Sequence, residues 1–213
     1  MLPLHRGQDG NNKITWPLRI FRAAAPASAA MFRALISDDI TLHLINEDNL
    51  ADIAGLFQGY PDSREMLEEL FRNYLPLYDR AGRRTTFGFY SYLGAELAGM
   101  TLLTVDSWDE KAGSTGADVF RHMRGRGVTP RSKPHLFYLA FELLGLNRVA
   151  TGCRVSNLSS KRSIEKTAGF QLEGVMLESG VNDQGEFEDE LLYAILRRDW
   201  QGLYNPAAVT VVP

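Results

Sequence analysis

The sequence is poor in the residues that form disulfide bonds and metal sites. Its 213 residues include one cysteine, Cys153, and four histidines. A single cysteine cannot form an internal disulfide bond, which favours a reducing compartment, the cytoplasm, and a role for Cys153 as a small buried core residue. No histidine stands at metal-ligand spacing from another histidine or from Cys153, and the nucleophile-elbow motif of serine hydrolases is missing. We therefore expect neither a metal site nor a serine-hydrolase triad.

Long hydrophobic runs and a strong excess of one charge are also missing. No stretch approaches the roughly 20 apolar residues that span a bilayer, so no membrane partner is expected. The formal charge of −3 argues against a protein whose whole surface binds nucleic acid, although a local basic site is compatible with it. The 45% content of hydrophobic residues is sufficient for a sizeable core.

The two ends of the chain differ from the middle in composition. Residues 1–36 contain five basic residues against the single acid Asp9, together with the tract AAAPASAA. We interpret them as an accessory N-terminal extension; a targeting segment, or translation from Met31, are the alternatives. Residues 37–203 are predicted to form one domain, and 204–213 a C-terminal tail.

Hydrophobic periodicity predicts seven strands and four helices. Their order is strand, two helices, three strands, helix, strand, helix and two strands, which indicates an α/β fold with a mixed sheet and helices on both faces. Pro76 is expected to end or kink the second helix, and Gly145 to end the third. The predicted strands are 40–45, 85–92, 97–106, 116–120, 148–155, 170–180 and 186–198, and the helices 47–60, 62–82, 135–145 and 159–169.

The stretch RGRGVTPRSKP, residues 124–134, places four basic side chains around two glycines, between a predicted strand and a predicted helix. Glycines let the main chain approach an anion closely, and the start of a helix attracts negative charge. Arg124, Arg126, Arg131 and Lys133 add full charges. The stretch therefore predicts a phosphate-binding loop. Pro130 stands where a dinucleotide fingerprint needs its third glycine, and the GK[ST] of a Walker A loop is missing.

The remaining pattern, Arg-x-x-Gly-x-small at residues 124–129, resembles the pyrophosphate loop of the GNAT superfamily of N-acyltransferases. Three later blocks resemble the same family: FELLGLNRV, NLSSKRSIEKTAGFQLEG, and EFEDELLYAILRRDW, which is similar to the branch that acetylates ribosomal-protein N-termini. The resemblance covers roughly residues 38–200. It implies a mostly antiparallel sheet and the transfer of an acetyl group from acetyl-CoA to an amine, without a metal.

The resemblance also implies which residues bind coenzyme A. The loop would hold its diphosphate, Asn157 its pantetheine arm, and Arg162 or Lys161 its ribose phosphate. The full set implied is Val119, Arg121, Arg124, Gly125, Arg126, Gly127, Val128, Thr129, Asn157, Ser160 and Arg162. Asn157 and Ser160 could instead only cap the helix that follows them.

The catalytic residues are less clear from the sequence. Ser160 is the candidate donor to the departing thiolate, since Ile164 occupies the position of the tyrosine that many family members use. Asp118 is the candidate general base, the alternative being a strand-edge carboxylate, because Gly152 stands where some members carry a glutamate. The main-chain N–H groups near Val119 could support the oxyanion.

The start of the third helix departs from the family pattern. Thr129 is expected as its N-cap with Pro130 at the first helical position. Pro134 then conflicts with a regular helix. Either the helix begins near Pro134, or it begins at Pro130 with a distortion.

The acceptor amine stays open between a protein N-terminus, a polyamine and an aminoglycoside-like molecule. The acids within 178–190 could form a wall for a cationic substrate or an exposed hairpin. Two other functions also stay open: a non-catalytic acyl-CoA-binding or regulatory module, and, less favoured, RNA binding through residues 121–133. A homodimer is compatible with the sequence.

Overall fold

The computed structural model describes residues 32–37, 39–182, 184–203 and 209–213. Most of the predicted N-terminal extension, residues 1–31, lies outside the described residues. Among the described residues, no helix is both long and apolar enough to cross a bilayer.

The described strands form one nine-stranded sheet. Its order is β7-β8-β6-β5-β4-β3-β2-β1-β9. All neighbours pair antiparallel except β5 and β6, which pair in parallel. The predicted class, a mixed and mostly antiparallel sheet with helices, is therefore confirmed. The strands are β1 (Ala34–Ser37), β2 (Ile40–Leu44), β3 (Thr86–Leu93), β4 (Glu96–Ser107), β5 (Ala112–Val119), β6 (Arg148–Arg154), β7 (Gln171–Val181), β8 (Phe187–Leu196) and β9 (Thr210–Val212).

Five α-helices accompany the sheet in the described ranges. They are α1 (Leu50–Phe57), α2 (Ser63–Glu69), α3 (Val128–Tyr138), α4 (Leu158–Glu165) and α5 (Arg197–Leu203). A π-helical turn extends α2 over Leu70–Tyr74 and another extends α3 over Leu139–Leu143. The first ends before Pro76, because Leu75 is already extended with ψ 149°. Gly145, with φ 67°, ends the second as expected.

The register of the strands assigns their side chains to two faces. Gly88 pairs with Leu102 and Leu102 with Gly116, so Gly88, Gly116 and Asp118 share one face. The π-turn after α2 lies on it, since Tyr74 packs on Gly88. We call this the α2 face. Thr115 points to the opposite face, where Lys133 of α3 contacts it. Helices therefore cover both faces, as the sequence predicted.

The sheet extends beyond the predicted domain limits of 37 and 203. Strand β1 begins at Ala34, and β9 lies in the segment predicted as a tail and pairs with β1, Ala34 opposite Val212. The segment 197–203, part of it predicted as strand, is the helix α5. Strands of three or four residues are too short to show a clear alternation of apolar and polar residues, which is why periodicity did not identify β1 and β9.

Two clusters of buried side chains hold the layers together. The larger includes Phe57 and Tyr74 from the first helices, Phe89 from the sheet and Phe137 from α3. The smaller joins β6, α4 and β8 through Cys153, Ile164, Leu191 and Tyr193. Cys153 is thus a buried residue of the smaller cluster.

Candidate functional site

A cleft opens between the two parallel strands in the middle of the sheet. β5 and β6 pair over three positions only, from Ala112 opposite Arg148 to Ser114 opposite Ala150, and the Thr151 hydroxyl donates to the Thr115 carbonyl just beyond. β5 then continues to pair with β4, and β6 with β8. Main-chain groups of 116–119 and 152–154 therefore line a gap, which we call the cleft.

The predicted phosphate loop lies at the end of β5 and leads into α3. Gly125 and Gly127 have φ values of 79° and 76°, the left-handed conformation that glycine adopts without steric cost. α3 begins at Val128 directly after Gly127. The first N–H groups of a helix have no partner within it, and the helix dipole makes this end positive. The loop thus directs main-chain donors to its outer surface, as an anion site requires.

The start of α3 corrects the sequence expectation. Gly127 is the N-cap residue, so Thr129 and Pro130 are the second and third residues of the helix. Pro130 fits there because an N–H group in the first turn has no intrahelical acceptor. Pro134 lies inside α3, which begins neither at Pro130 nor near Pro134.

Carboxylates hold most of the arginines around the loop. Arg121 pairs with Glu65 at 2.8 Å and Arg131 with Asp39 at 3.0 Å. The guanidinium of Arg126 donates two hydrogen bonds to Glu96, at 2.8 and 2.9 Å. Arg124 differs: its Nε donates to the Val119 carbonyl at 3.3 Å, and no carboxylate of the described residues pairs with it.

Lys133 does not contribute its charge to the loop, contrary to the prediction. Its side chain is buried, and Nζ donates to Thr115 Oγ1 at 2.7 Å and to the Gly116 carbonyl at 3.1 Å. Burial lowers the pKa of Lys133 to about 7, and the charge of Asp118 opposes this shift. Lys133 therefore fastens α3 to β5 where β5 leaves β6.

Asp118, the predicted general base, has a fixed partner. The Tyr74 hydroxyl donates to Asp118 Oδ2 at 2.8 Å. Burial raises the pKa of Tyr74 well above its usual value, and the negative charge of Asp118 raises it further. Asp118 lies on the cleft strand β5, one residue before Val119, the last residue of that strand. The structure thus places both predicted residues beside the cleft, with Asp118 engaged by a buried phenol.

Asn157 and Ser160 lie at the other side of the cleft, after β6. Asn157 Oδ1 accepts a hydrogen bond from the Ser160 main-chain N–H at 3.0 Å, so Asn157 caps α4. Burial raises the pKa of the Cys153 thiol, and a hydrogen bond with the Ser160 side chain partly offsets this. Arg162 is exposed on the same helix, whereas Ile164 packs into the smaller cluster. The hydroxyl of Ser160 thus lies next to a β6 residue that borders the cleft.

The structure adds one carboxylate that sequence reasoning did not single out. Glu190 of β8 lies across from Arg154, and its side chain reaches over Gly152 of β6. A Cβ atom at Gly152 would lie 2.5 Å from Glu190 Oε1. Glu190 was only one of several acids within 178–190 in the sequence. Its proximity to Gly152 depends on strand register, which the sequence does not show.

The comparisons with known proteins agree with this geometry. No protein-family model matches the chain. The chain is 32% identical over 111 residues to the provisionally assigned ribosomal N-acetyltransferase YdaF of Bacillus subtilis (strain 168), a match over 52% of this chain and 59% of that protein. The chain therefore matches about three fifths of the length of that relative.

Solved acetyltransferase structures share the fold at lower identity. An acetyltransferase from T. thermophilus superposes with a TM-score of 0.61 and 21% identity, over 80% of this chain and 92% of that chain. A spermidine N-acetyltransferase from Vibrio cholerae, in complex with CoA and spermine, gives 0.58 and 16%, over 76% and 98%. RimL, a ribosomal L7/L12 α-N-protein acetyltransferase, gives 0.56 and 20%, over 76% and 97%.

The fold and the divided sheet define the chain as a protein of the GNAT acetyltransferase type. The resemblance stated from the loop and the later sequence blocks is thereby confirmed. Within that type, both the sequence match to YdaF and the structural match to RimL are to proteins named for ribosomal N-acetylation.

Proposed function

We propose that this protein is an N-acetyltransferase that moves an acetyl group from acetyl-CoA to a primary amine. The observation that carries the proposal is the position of the loop, since the positive end of α3 lies at the end of the strand that opens the cleft. A diphosphate held at the loop would direct a long thiol arm into the gap between β5 and β6. The reacting thioester would then lie between the two strands.

Binding would use the main chain first and the arginines second. The N–H groups of residues 125–129 are the donors nearest the diphosphate, and Arg124 is the guanidinium without a competing carboxylate. Arg121 and Arg126 would have to exchange Glu65 and Glu96 for phosphate oxygens. On the other side of the cleft, Asn157 would bind the pantetheine arm through its amide NH₂, since its oxygen already caps α4. Arg162, exposed on α4, would meet the ribose phosphate.

The chemical step requires a neutral amine, an oxyanion donor and a proton donor for the sulfur. An alkyl amine is about 99.9% protonated at pH 7, so a base has to take a proton before or during attack. Main-chain N–H groups of β5 near Val119 would stabilise the oxyanion. The Ser160 hydroxyl would donate to the departing thiolate. Positioning of amine and thioester in one cleft contributes about 7–11 kcal/mol in favourable systems.

Protein N-termini and polyamines are both candidate acceptors. The match to YdaF favours a ribosomal-protein N-terminus, while the V. cholerae neighbour binds spermine. The single cysteine fits the cytoplasm, and a homodimer is compatible with the exposed apolar residues of β7, among them Leu172 and Leu177. A non-catalytic acyl-CoA-binding module is not favoured, because the cleft and its polar residues are present.

The proposal is tested by CoA release from acetyl-CoA across a panel of N-terminal peptides and polyamines, together with calorimetric titration of CoA. Arg124→Ala should weaken CoA binding at least tenfold, since a hydrogen bond between charged groups contributes about 1.5–3 kcal/mol. The matched control is Arg72→Ala, which removes an exposed arginine paired with Glu69 and should leave binding unchanged. CoA binding without turnover on any amine would favour the non-catalytic module, and no CoA binding would refute both.

A further inference from the structure

We propose that Glu190 is the general base that takes the proton from the acceptor amine. This inference rests on the proposed acetyl transfer and assigns the one role in it that the sequence left open. It replaces Asp118 in that role. Three features of the described residues lead to it: the position of Glu190, its lack of a cationic partner, and the engagement of Asp118.

The register brings Glu190 to the cleft from the neighbouring strand. Gly152 pairs with Leu192 and Arg154 with Glu190, so Glu190 and Gly152 point to the same face of the sheet. Through the pairing of Ser114 with Ala150, this is the α2 face, which also carries Asp118. Because Gly152 has no side chain, the Glu190 carboxylate can lean across β6 toward β5. Its Oε1 occupies the space directly over Gly152.

The carboxylate of Glu190 has no cation to neutralise it. The nearest candidate is Arg154, directly opposite on β6, but its guanidinium pairs with Glu188 at 3.4 Å. Among the described residues no ion pair includes Glu190, which is half-buried. A carboxylate that is partly removed from water and unpaired at the edge of a cleft is available to bind a proton or a cationic amine.

Asp118 lies on the other side of the same cleft and is less available. Its Oδ2 already accepts the hydrogen bond of Tyr74, whose buried hydroxyl has no other acceptor among the described residues. Two carboxylates thus flank the cleft on the face opposite α3 and its loop. An amine entering from the α2 face would meet both, and only Glu190 has no hydrogen-bond donor bound to it.

The step balances without a further reactant. The lone pair of the neutral amine forms the C–N bond to the thioester carbonyl carbon, and the C–S bond breaks with its electron pair on sulfur. The proton lost by the nitrogen goes to a carboxylate oxygen of Glu190. The thiolate receives a proton from the Ser160 hydroxyl, and Glu190 releases its proton to solvent.

Steady-state kinetics of the full chain test the assignment, with any amine found to turn over. Glu190→Gln keeps the size and removes the basic oxygen, so kcat should fall about 10²–10⁴-fold while the Kd for CoA stays unchanged. The matched control is Glu186→Gln, an exposed carboxylate just before β8 that contacts Asn182 and should keep kcat within twofold.

Two further variants distinguish the position of the carboxylate from its mere presence. Gly152→Ala leaves Glu190 intact, but the new Cβ displaces the end of that flexible side chain, so kcat should fall about tenfold or more. The pair Gly152→Glu with Glu190→Ala restores a carboxylate over β6 and should recover activity relative to Glu190→Ala alone. Thermal unfolding verifies that each variant is folded.

The outcomes separate this inference from the proposed function. If the wild type turns over an amine and both Glu190→Gln and Gly152→Ala keep its kcat, the assignment of Glu190 is wrong and acetyl transfer stands. A rise in KM with unchanged kcat also overturns it, since Glu190 would then only bind the cation. If the wild type neither binds CoA nor releases thiol, the proposed function itself fails.

Discussion

At the scale of single residues, the sequence identified the loop glycines and arginines but not the side chains that surround them. The RGRG pattern is local, so Gly125, Gly127 and Arg124 could be predicted from neighbours in the chain. The environments of Lys133 and Glu190 depend on contacts with strands far away in sequence. A lysine beside a basic loop has the same local pattern whether it faces solvent or the sheet, and only the register of α3 on β5 decides between them.

Lys133 makes stability depend on pH in a defined direction. Its pKa is about 7 in the folded chain and near 10.4 when unfolded, so between these values the unfolded chain binds one more proton. Stability should therefore rise with pH above 7, while below 7 both states are protonated and this contribution is constant. The raised pKa of Tyr74 has the opposite effect near and above pH 10, which limits the useful window to about pH 7–9.

Lys133→Met should abolish this rise. The free energy of unfolding of the wild type, measured in urea at pH 7, 8 and 9, should increase by about 2 kcal/mol more than that of the variant. Lys166→Met, at an exposed lysine, is the control and should follow the wild type. Parallel curves for wild type and Lys133→Met would show that Lys133 titrates as an ordinary lysine.

At the scale of elements, the longer strands and helices followed from periodicity, and their ends followed from special residues. β2 alternates buried and partly buried side chains over Ile40–Leu44, the pattern its sequence predicts. Pro76 and Gly145 set the ends of helical segments as expected. The two π-turns could not be predicted, because a five-residue change of helical pitch leaves no distinct hydrophobic pattern.

The cap of α4 separates two roles of Asn157. Asn157→Ala removes the acceptor for the Ser160 N–H and should lower the free energy of unfolding by about 1 kcal/mol. Asn157→Asp keeps a capping oxygen and should unfold like the wild type. Both variants should weaken CoA binding several-fold if the amide NH₂ contacts the pantetheine arm. Wild-type affinity in Asn157→Asp, measured by calorimetry, would leave Asn157 as a cap alone.

At the scale of the whole molecule, the class of fold could be predicted but the full width of the sheet could not. β9 pairs with β1 across nearly the entire described chain, with Val212 opposite Ala34. Such a pairing has no local sequence pattern, and both strands are short. The parallel contact of β5 with β6, by contrast, could be anticipated from the family resemblance, which rested on residues on both sides of it.

Removing the last strand tests how much the sheet edge contributes. Truncation after Leu203 deletes β9 and uncovers Leu35, so the melting temperature should fall by about 5 °C or more. Removal of Pro213 alone, which leaves β9 intact, should not change it. An unchanged melting temperature in the longer truncation, measured by calorimetry, would return residues 204–213 to the role of a dispensable tail.

The pairing of β9 with β1 also decides where a chemical handle can be attached. Five strand-to-strand steps separate β9 from β5, a distance of about 24 Å at the usual spacing of about 4.8 Å. A biotin or dye coupled next to Val212 would therefore sit well clear of the gap between β5 and β6. Immobilised this way, the protein would present its reacting edge to the solution, so that surface-based measurements of turnover would report the unobstructed molecule.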